Sequence, residues 1–325
     1  MAGTTRRKTT SRTATLIAVL AVTGCVRAGF DASSAGPTDA PPSVEQPIQD
    51  QGQQILDRGR PDGAPHCTWG PFSGAAPVKE LNDGYYDWET SLSADGLTIY
   101  FSSDRGGGKG ANDIWVAERL SPSAPFGTPS PLAIVNTTDT EGNPSVSADG
   151  TELYFTRPAS GSPGLFVSRR ASVGDTFATP VPVEGVTGCA DGPDISHDGL
   201  TLYYTTCWGS GPPPTIAVAT RPAPGQPFAF QRVVTEVGDG GWPSISSDGL
   251  ELFFESDRSG VLRIYVARRK STAEPFGAPA LVKEIDTARG TEDADISADG
   301  RTLYYSFSPN DVAREIWRAT RTCVP

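Results

Sequence analysis

The chain has 325 residues, of which 20% are charged, and a formal net charge of −11. An acidic balance of this size repels phosphates, which argues against nucleic acid and anionic membrane surfaces as partners. Hydrophobic residues make up 37%, enough for an ordinary buried core.

In chain order, residues 1–24 read as a signal peptide: Arg6, Arg7, Lys8 and Arg12 precede the apolar run Ala14 to Val22. The run is too short to span a bilayer as a mature helix. These residues hold four positive charges and no acid, so the remainder stands at −15. The run ends in Val22-Thr23-Gly24-Cys25, which resembles the bacterial lipobox, where the cysteine is lipidated and becomes the new N-terminus. The alternative is an ordinary secretory signal that contains a cysteine. The resemblance implies a lipid anchor on Cys25, each buried CH₂ contributing about 0.8 kcal/mol. Val26 after the cysteine resembles lipoproteins sent to the outer membrane. The expected location is the bacterial cell envelope, facing the periplasm or the outside.

Residues 25–66 are rich in Ala, Ser, Pro, Asp, Gln and Gly. Such a stretch buries too little apolar area to offset ordering entropy, so it reads as a disordered tether. Five cysteines occur in the chain, and lipidation of Cys25 leaves four. An even remainder in an exported chain permits two disulfides. No C-x-x-C pair occurs to support zinc or thioredoxin-type chemistry.

From residue 67 onward the sequence repeats. Asp-Gly pairs begin at 95, 149, 198, 248 and 299, in steps of 54, 49, 50 and 51 residues. A fixed period of this size marks a repeat architecture. Each copy has a short strand ending in Ser-x-Asp-Gly, as at Ser93-Ala94-Asp95-Gly96, then an aromatic strand such as Leu97 to Ser102. The glycine supplies the positive φ of a tight hairpin, and Asp suits the position before it. A third strand follows, Asp113-Ile114-Trp115-Val116-Ala117 and its counterparts, often ending in Arg. A loop ending in Phe then leads to a fourth strand expected at Leu132 to Val135, Val181 to Val183, Val233 to Val237 and Leu281 to Ile285. Its prolines suit an outer edge. Four antiparallel strands per ~50 residues make a β-propeller blade.

The pattern Ser-x-Asp-Gly-x-x-Leu-Tyr-Phe-x-Ser-Asp-Arg, then Asp-Ile-Trp-Val-Ala, resembles the TolB-type, WD-repeat-like propeller of bacterial envelope proteins. Blades one and four keep Ser103-Asp104-Arg105 and Ser256-Asp257-Arg258, whereas Thr156-Arg157, Thr206-Cys207 and Phe307-Ser308 depart from it. The resulting fold is all-β: a five-bladed propeller over 67–325, with four-stranded antiparallel blades. The chain stops before a fourth strand of blade five. Trp69-Gly70-Pro71-Phe72 and Pro77-Val78-Lys79-Glu80-Leu81 match the segment that ends every other blade. The N-terminal strand is therefore expected to complete blade five and close the ring, leaving no open edge. Aligning Phe72 and Arg321 with the other blades places Cys67 beside Cys323, which predicts one disulfide. Hairpin register about Asp198 brings Cys189 opposite the region of Cys207, which predicts the second.

The loops entering the first strands are expected to share one mouth. They supply Asp87, Trp88, Glu89, Glu141, Asn143, Asp191, Trp242, Arg289, Glu292 and Asp293 as candidate ligand-binding residues. Indoles at Trp88 and Trp242 can stack on a sugar or clamp a peptide, and the acids suit a basic partner. A structural role is the alternative for each acid. Asp104–Arg105 and Asp257–Arg258 are expected to form loop-tying ion pairs. The two histidines, His66 and His197, lie in the tail junction and a far turn, which excludes a Ser-His-Asp triad and a multi-histidine metal site. No phosphate loop occurs. These absences, with the lipobox-like Cys25 and the TolB-type repeats, favour a non-catalytic, monomeric lipoprotein that needs no cofactor and binds an envelope protein or glycan. Three alternatives stand: a glycoside hydrolase working through carboxylates from Glu89, Glu141, Asp191 and Glu292, calcium held by Glu89, Asn143 and Asp293, and a spacer or surface filler with no specific ligand.

Overall fold

The computed structural model describes residues 68–159, 161–206, 213–310 and 313–324. It is a five-bladed β-propeller, each blade a four-stranded antiparallel sheet. From the axis outward, blade one is Asp87–Leu92, Thr98–Ser103, Asp113–Glu118 and Ser130–Pro131. Blade two is Gly142–Val146, Glu152–Ala159, Ser162–Arg169 and Val181–Pro182; blade three is Ala190–Ile195, Thr201–Thr206, Ile216–Thr220 and Ala229–Val233. Blade four is Gly241–Ile245, Glu251–Ser256, Arg263–Arg268 and Ala280–Leu281. Blade five joins Glu292–Ile296, Thr302–Phe307 and Glu315–Thr320 to Ser73–Pro77 from the start of the propeller. That closure is as the repeat pattern predicts. Ser73 faces Thr320 and Pro77 faces Trp317.

The outer strands differ from expectation in their bounds. Leu132 to Val135 form a turn, and the pairing falls on Ser130–Pro131 just before it. Blades two and four likewise pair only two residues, whereas blade three pairs Ala229–Val233, ahead of the expected segment. Pro131 and Pro182 lie in these short strands, and a proline has no N–H for a longer ladder.

Two repeated devices hold the ring. At every Asp-Gly turn the serine hydroxyl donates to the aspartate, as Ser93 does to Asp95 at 2.6 Å, and the glycine takes φ near +70°. The arginine after each third strand donates Nε to that glycine's carbonyl: Arg119 to Gly96, Arg170 to Gly150, Arg221 to Gly199, Arg269 to Gly249 and Arg321 to Gly300. Each guanidinium also covers the loop aromatic, Phe126, Phe177, Phe228, Phe276 or, at the closure, Trp69 and Phe72. Phe72 thus takes the place of the internal phenylalanines. Between blades, apolar clusters mix residues of both neighbours, such as Phe72, Phe253, Ile264 and Leu303. Fully buried rings such as Phe101, Phe155 and Phe254 each contribute roughly 2–3 kcal/mol.

A closed ring of hydrogen bonds surrounds the axis. Ser91 Oγ accepts from Val146 N–H, Ser145 Oγ from Ile195, Asp194 Oδ2 from Ile245, Ser244 Oγ from Ile296, and Asp295 Oδ2 from Leu92. Each blade thereby satisfies a backbone donor of the next, and Asp295 returns the ring from blade five to blade one.

Candidate functional site

The inner strands each break register at one point: between Trp88 and Ser91, Gly142 and Ser145, Asp191 and Asp194, Gly241 and Ser244, and Glu292 and Asp295. At each bulge one residue adopts left-handed backbone: Glu89, Asn143, Gly192, Trp242 and Asp293, with φ between +49° and +54°. Four of these are not glycine. Such conformations cost about 1–3 kcal/mol each and cluster where function demands them. These five, with Thr90, Asp194 and Asp295, line a cavity of about 30 Å³ at the throat of the channel. The inner strands run from this throat to the Asp-Gly turns, so those turns lie at the far end.

Of the expected mouth residues, Glu89, Asn143, Trp242 and Asp293 line this throat, and Asp191 stands beside it. Asn143 joins two acids. Its backbone N–H donates to Glu89 Oε2 at 2.8 Å, and its Nδ2 donates to Asp191 Oδ1 at 3.1 Å. Ser102 hydroxyl also donates to Glu89 Oε2, at 2.6 Å. Burial pushes Glu89 up to about 7, with the nearby Asp191 charge adding to the shift and the donors opposing it. Asp191 is raised by burial as well, but Thr156 and the Gly192 N–H favour its charged form. Asp293 reaches about 8, through burial first and then repulsion from Glu89 and Glu292.

Trp242 lies across blade three. A Cβ on Gly192 would come within 2.9 Å of Trp242 Cδ1. Glycine there both accepts the left-handed backbone and clears the indole. On the blade-one rim, Trp88 packs edge-on against Tyr86 at 5.8 Å, and Tyr85 and Tyr86 are exposed.

Four expected mouth residues are engaged elsewhere. Asp87 is fully buried and ion-paired with Arg105. Glu141 is fully buried, 2.8 Å from Arg157 Nε, and accepts from Thr137 as well. Arg289 is exposed on a turn where its N–H donates to Thr287 Oγ1. Glu292 pairs with Arg314 at 2.6 Å. The expected Asp104–Arg105 pair does not form. Arg105 turns inward to Asp87 and the Leu81 carbonyl, over the Phe101 and Trp115 rings, while Asp104 accepts from Tyr86 N–H. Nor does Arg258 meet Asp257; it donates to the Val237 and Asp239 carbonyls. An arginine over aromatic rings prefers buried acceptors to a neighbour that water already solvates.

Several throat residues were not anticipated. Asp194 and Asp295 stand where the other blades have Ser91, Ser145 and Ser244, and Glu255 stands where they have Ser102, Thr156, Thr205 and Ser306. Acid-for-serine replacement at a fixed repeat position was the available signal. Burial raises Asp194 to about 7 and lifts Glu255 and Asp295 well above the usual range. Among the described residues no three His, Cys, Asp or Glu side chains converge to hold a metal ion. Cys323 lies opposite Trp69, and Thr68 opposite Val324; the expected partners Cys67 and Cys207 lie outside the described residues, as do Cys25 and the 1–66 segment.

No protein-family model and no curated protein matches the sequence. Solved structures share the fold. A family 117 glycoside hydrolase from the marine bacterium Zobellia galactanivorans superposes with TM-score 0.52 and 12% identity, over 78% of this chain and 89% of that one. A family 62 α-L-arabinofuranosidase from Coprinopsis cinerea gives 0.51 and 11%, over 79% and 99%. TolB from Acinetobacter baumannii gives 0.45 and 14%, over 71% of this chain and 54% of that one, so the chain spans about half its length.

The glycoside hydrolases correct one expectation. A non-catalytic chain was inferred from missing histidine and phosphate motifs. Glycoside hydrolases on the same propeller remove that ground, because this chemistry runs on paired carboxylates alone.

Proposed function

We propose that the chain is a carboxylate-dependent glycoside hydrolase whose reaction centre is the Glu89–Asn143–Asp191 bridge. The observation that carries this reading is one asparagine holding two acids in unlike environments. Glu89, raised to about 7 by burial, keeps its proton near neutral pH and serves as the general acid on the leaving oxygen. Asp191, whose charged form is favoured by Asn143 and by Thr156 and Gly192, serves as the base. Separated protonation of two acids is the arrangement that glycosidic cleavage requires. Of the other acids in the expected set, Glu141 is committed to Arg157 and Glu292 to Arg314.

The throat cavity is too small for a sugar ring, so the glycan sits above it, against Trp242 and the Tyr85, Tyr86 and Trp88 rim. Aromatic faces at a mouth suit sugar stacking. In the same reading the protein is exported, lipidated at Cys25 and bridged by Cys67–Cys323 and Cys189–Cys207, and it meets its glycan in the cell envelope. Incubation of the protein with a panel of envelope and plant polysaccharides tests the activity. Release of reducing ends by wild type, lost in Glu89→Gln and Asp191→Asn, supports it; no release from any member rejects it.

A further inference from the structure

We propose that the throat below the reaction centre receives a primary ammonium group, so that the glycan taken by this site carries a free amino sugar; the substrate class named here rests on the glycan-directed reading above. Thr90 and Asp293 both line the cavity, and in each a buried oxygen, Thr90 Oγ1 and Asp293 Oδ2, has no hydrogen-bond partner. Their residues are 9% and 8% exposed. Thr90 can donate or accept, whereas an ionised Asp293 only accepts. A neutral sugar hydroxyl can bridge the two, accepting from Thr90 and donating to Asp293, but it brings no charge. An –NH₃⁺ group carries three hydrogens and a charge. Water can bridge them too, but like the hydroxyl it brings no charge to a lining of acids, whereas a cation favours their ionised forms.

The lining is one-sided, with acids and no base. Glu89, Asp194, Asp293 and Asp295 line the cavity, and Glu255 lies behind Asp293, accepting its N–H at 3.2 Å. The cation that approaches is Arg314, whose Nη2 is taken by Glu292 at 2.6 Å and whose Nη1 stays 4.0 Å from Asp293 Oδ2. Asp293 and Glu89 repel when both are ionised, which adds to the elevation of Asp293, and a bound cation favours ionisation of Asp293. A cavity of about 30 Å³ matches one water-sized group. Among the described residues no three acids, histidines or cysteines converge as a bare metal ion needs, whereas an ammonium meets acceptors one hydrogen at a time.

Calorimetric titration of the full chain with methyl glucosaminide, methyl N-acetylglucosaminide and methyl glucoside tests this. The amine is expected to bind at least about tenfold more tightly than either neutral sugar, the yield of one charge-assisted hydrogen-bond set. Asp293→Asn, a residue that tolerates left-handed backbone, is expected to abolish the preference. Thr90→Val is expected to weaken it, which keeps the test decisive if the Asp293 variant fails to fold. Methylammonium chloride should compete with the amino sugar where sodium chloride of equal strength does not. Equal affinities in wild type, no binding of any of the three, or a preference kept in both variants overturns the proposal. Turnover of neutral glycosides without amine preference overturns this inference alone. Amine preference without turnover of any glycoside overturns the hydrolase reading and leaves the ammonium site standing.

Discussion

Asn143 donates its backbone N–H to Glu89 Oε2 at 2.8 Å from a left-handed backbone of φ +53°. The bulge therefore aims the donor, and the same residue's Nδ2 reaches Asp191. Asn143→Gly keeps the backbone and removes only the amide. Asp191 then loses a donor to its charged form, and its pKa rises. The acidic limb of the activity profile is expected to move up by roughly one pH unit, while the upper limb stays in place. Initial rates from pH 4 to 9 on any cleaved glycoside check this.

The buried acids give stability a sign with pH. Glu89, Asp194 and Asp293 rise to about 7, 7 and 8 in the folded state, above their unfolded values. The folded protein therefore holds more protons than the unfolded chain across pH 4 to 8. Stability is full below that window and falls as pH rises through it. Glu152 and Glu236 shift downward, so their loss occurs only as the solution becomes more acidic than the window. Thermal melts are expected to show a lower Tm at pH 8.5 than at pH 5. Asp194→Asn, which keeps an acceptor for the Ile245 N–H, should narrow that gap.

Gly192→Ala tests the placement of Trp242. The new Cβ meets Trp242 Cδ1 at 2.9 Å and Thr205 Oγ1 at 3.3 Å. Left-handed backbone adds about 1–2 kcal/mol for alanine. The variant is expected to fold with lower stability, shifted tryptophan emission and weakened glycan binding. Unchanged emission and binding would place Trp242 outside the site.

Ring closure rests on Phe72, 6% exposed and covered by Arg321. Phe72→Ala is expected to cost about 3–5 kcal/mol in denaturant unfolding, matching Phe228→Ala at an internal blade. A much smaller loss would mean that the N-terminal strand is dispensable. Peptide mapping under non-reducing conditions should recover Cys67 joined to Cys323, and reduction should lower stability by up to about 5 kcal/mol in the loop-entropy model.

The fold was legible because its signals repeat. Five Ser-x-Asp-Gly turns and five loop aromatics fix blade number, hairpin position and the role of Phe72 at once. The throat was legible in part. Glu89, Asn143, Trp242 and Asp293 stood out because acids and an indole precede a strand. Asp87 and Glu141 gave the same signal, yet Arg105 and Arg157 draw them into the blades. Periodicity does not tell a mouth acid from one that anchors a loop, since both precede the same strand. Thr90 and Gly192 matter through the bulge geometry, which no residue type announces.

The most direct measurement is kcat/KM against pH on the best glycoside, for wild type and Glu89→Gln. A bell that falls above about pH 7, as Glu89 loses its proton, together with loss of turnover in the variant, is the predicted result. A profile flat through pH 7, or undiminished turnover in Glu89→Gln, would contradict the assignment of Glu89 as the acid.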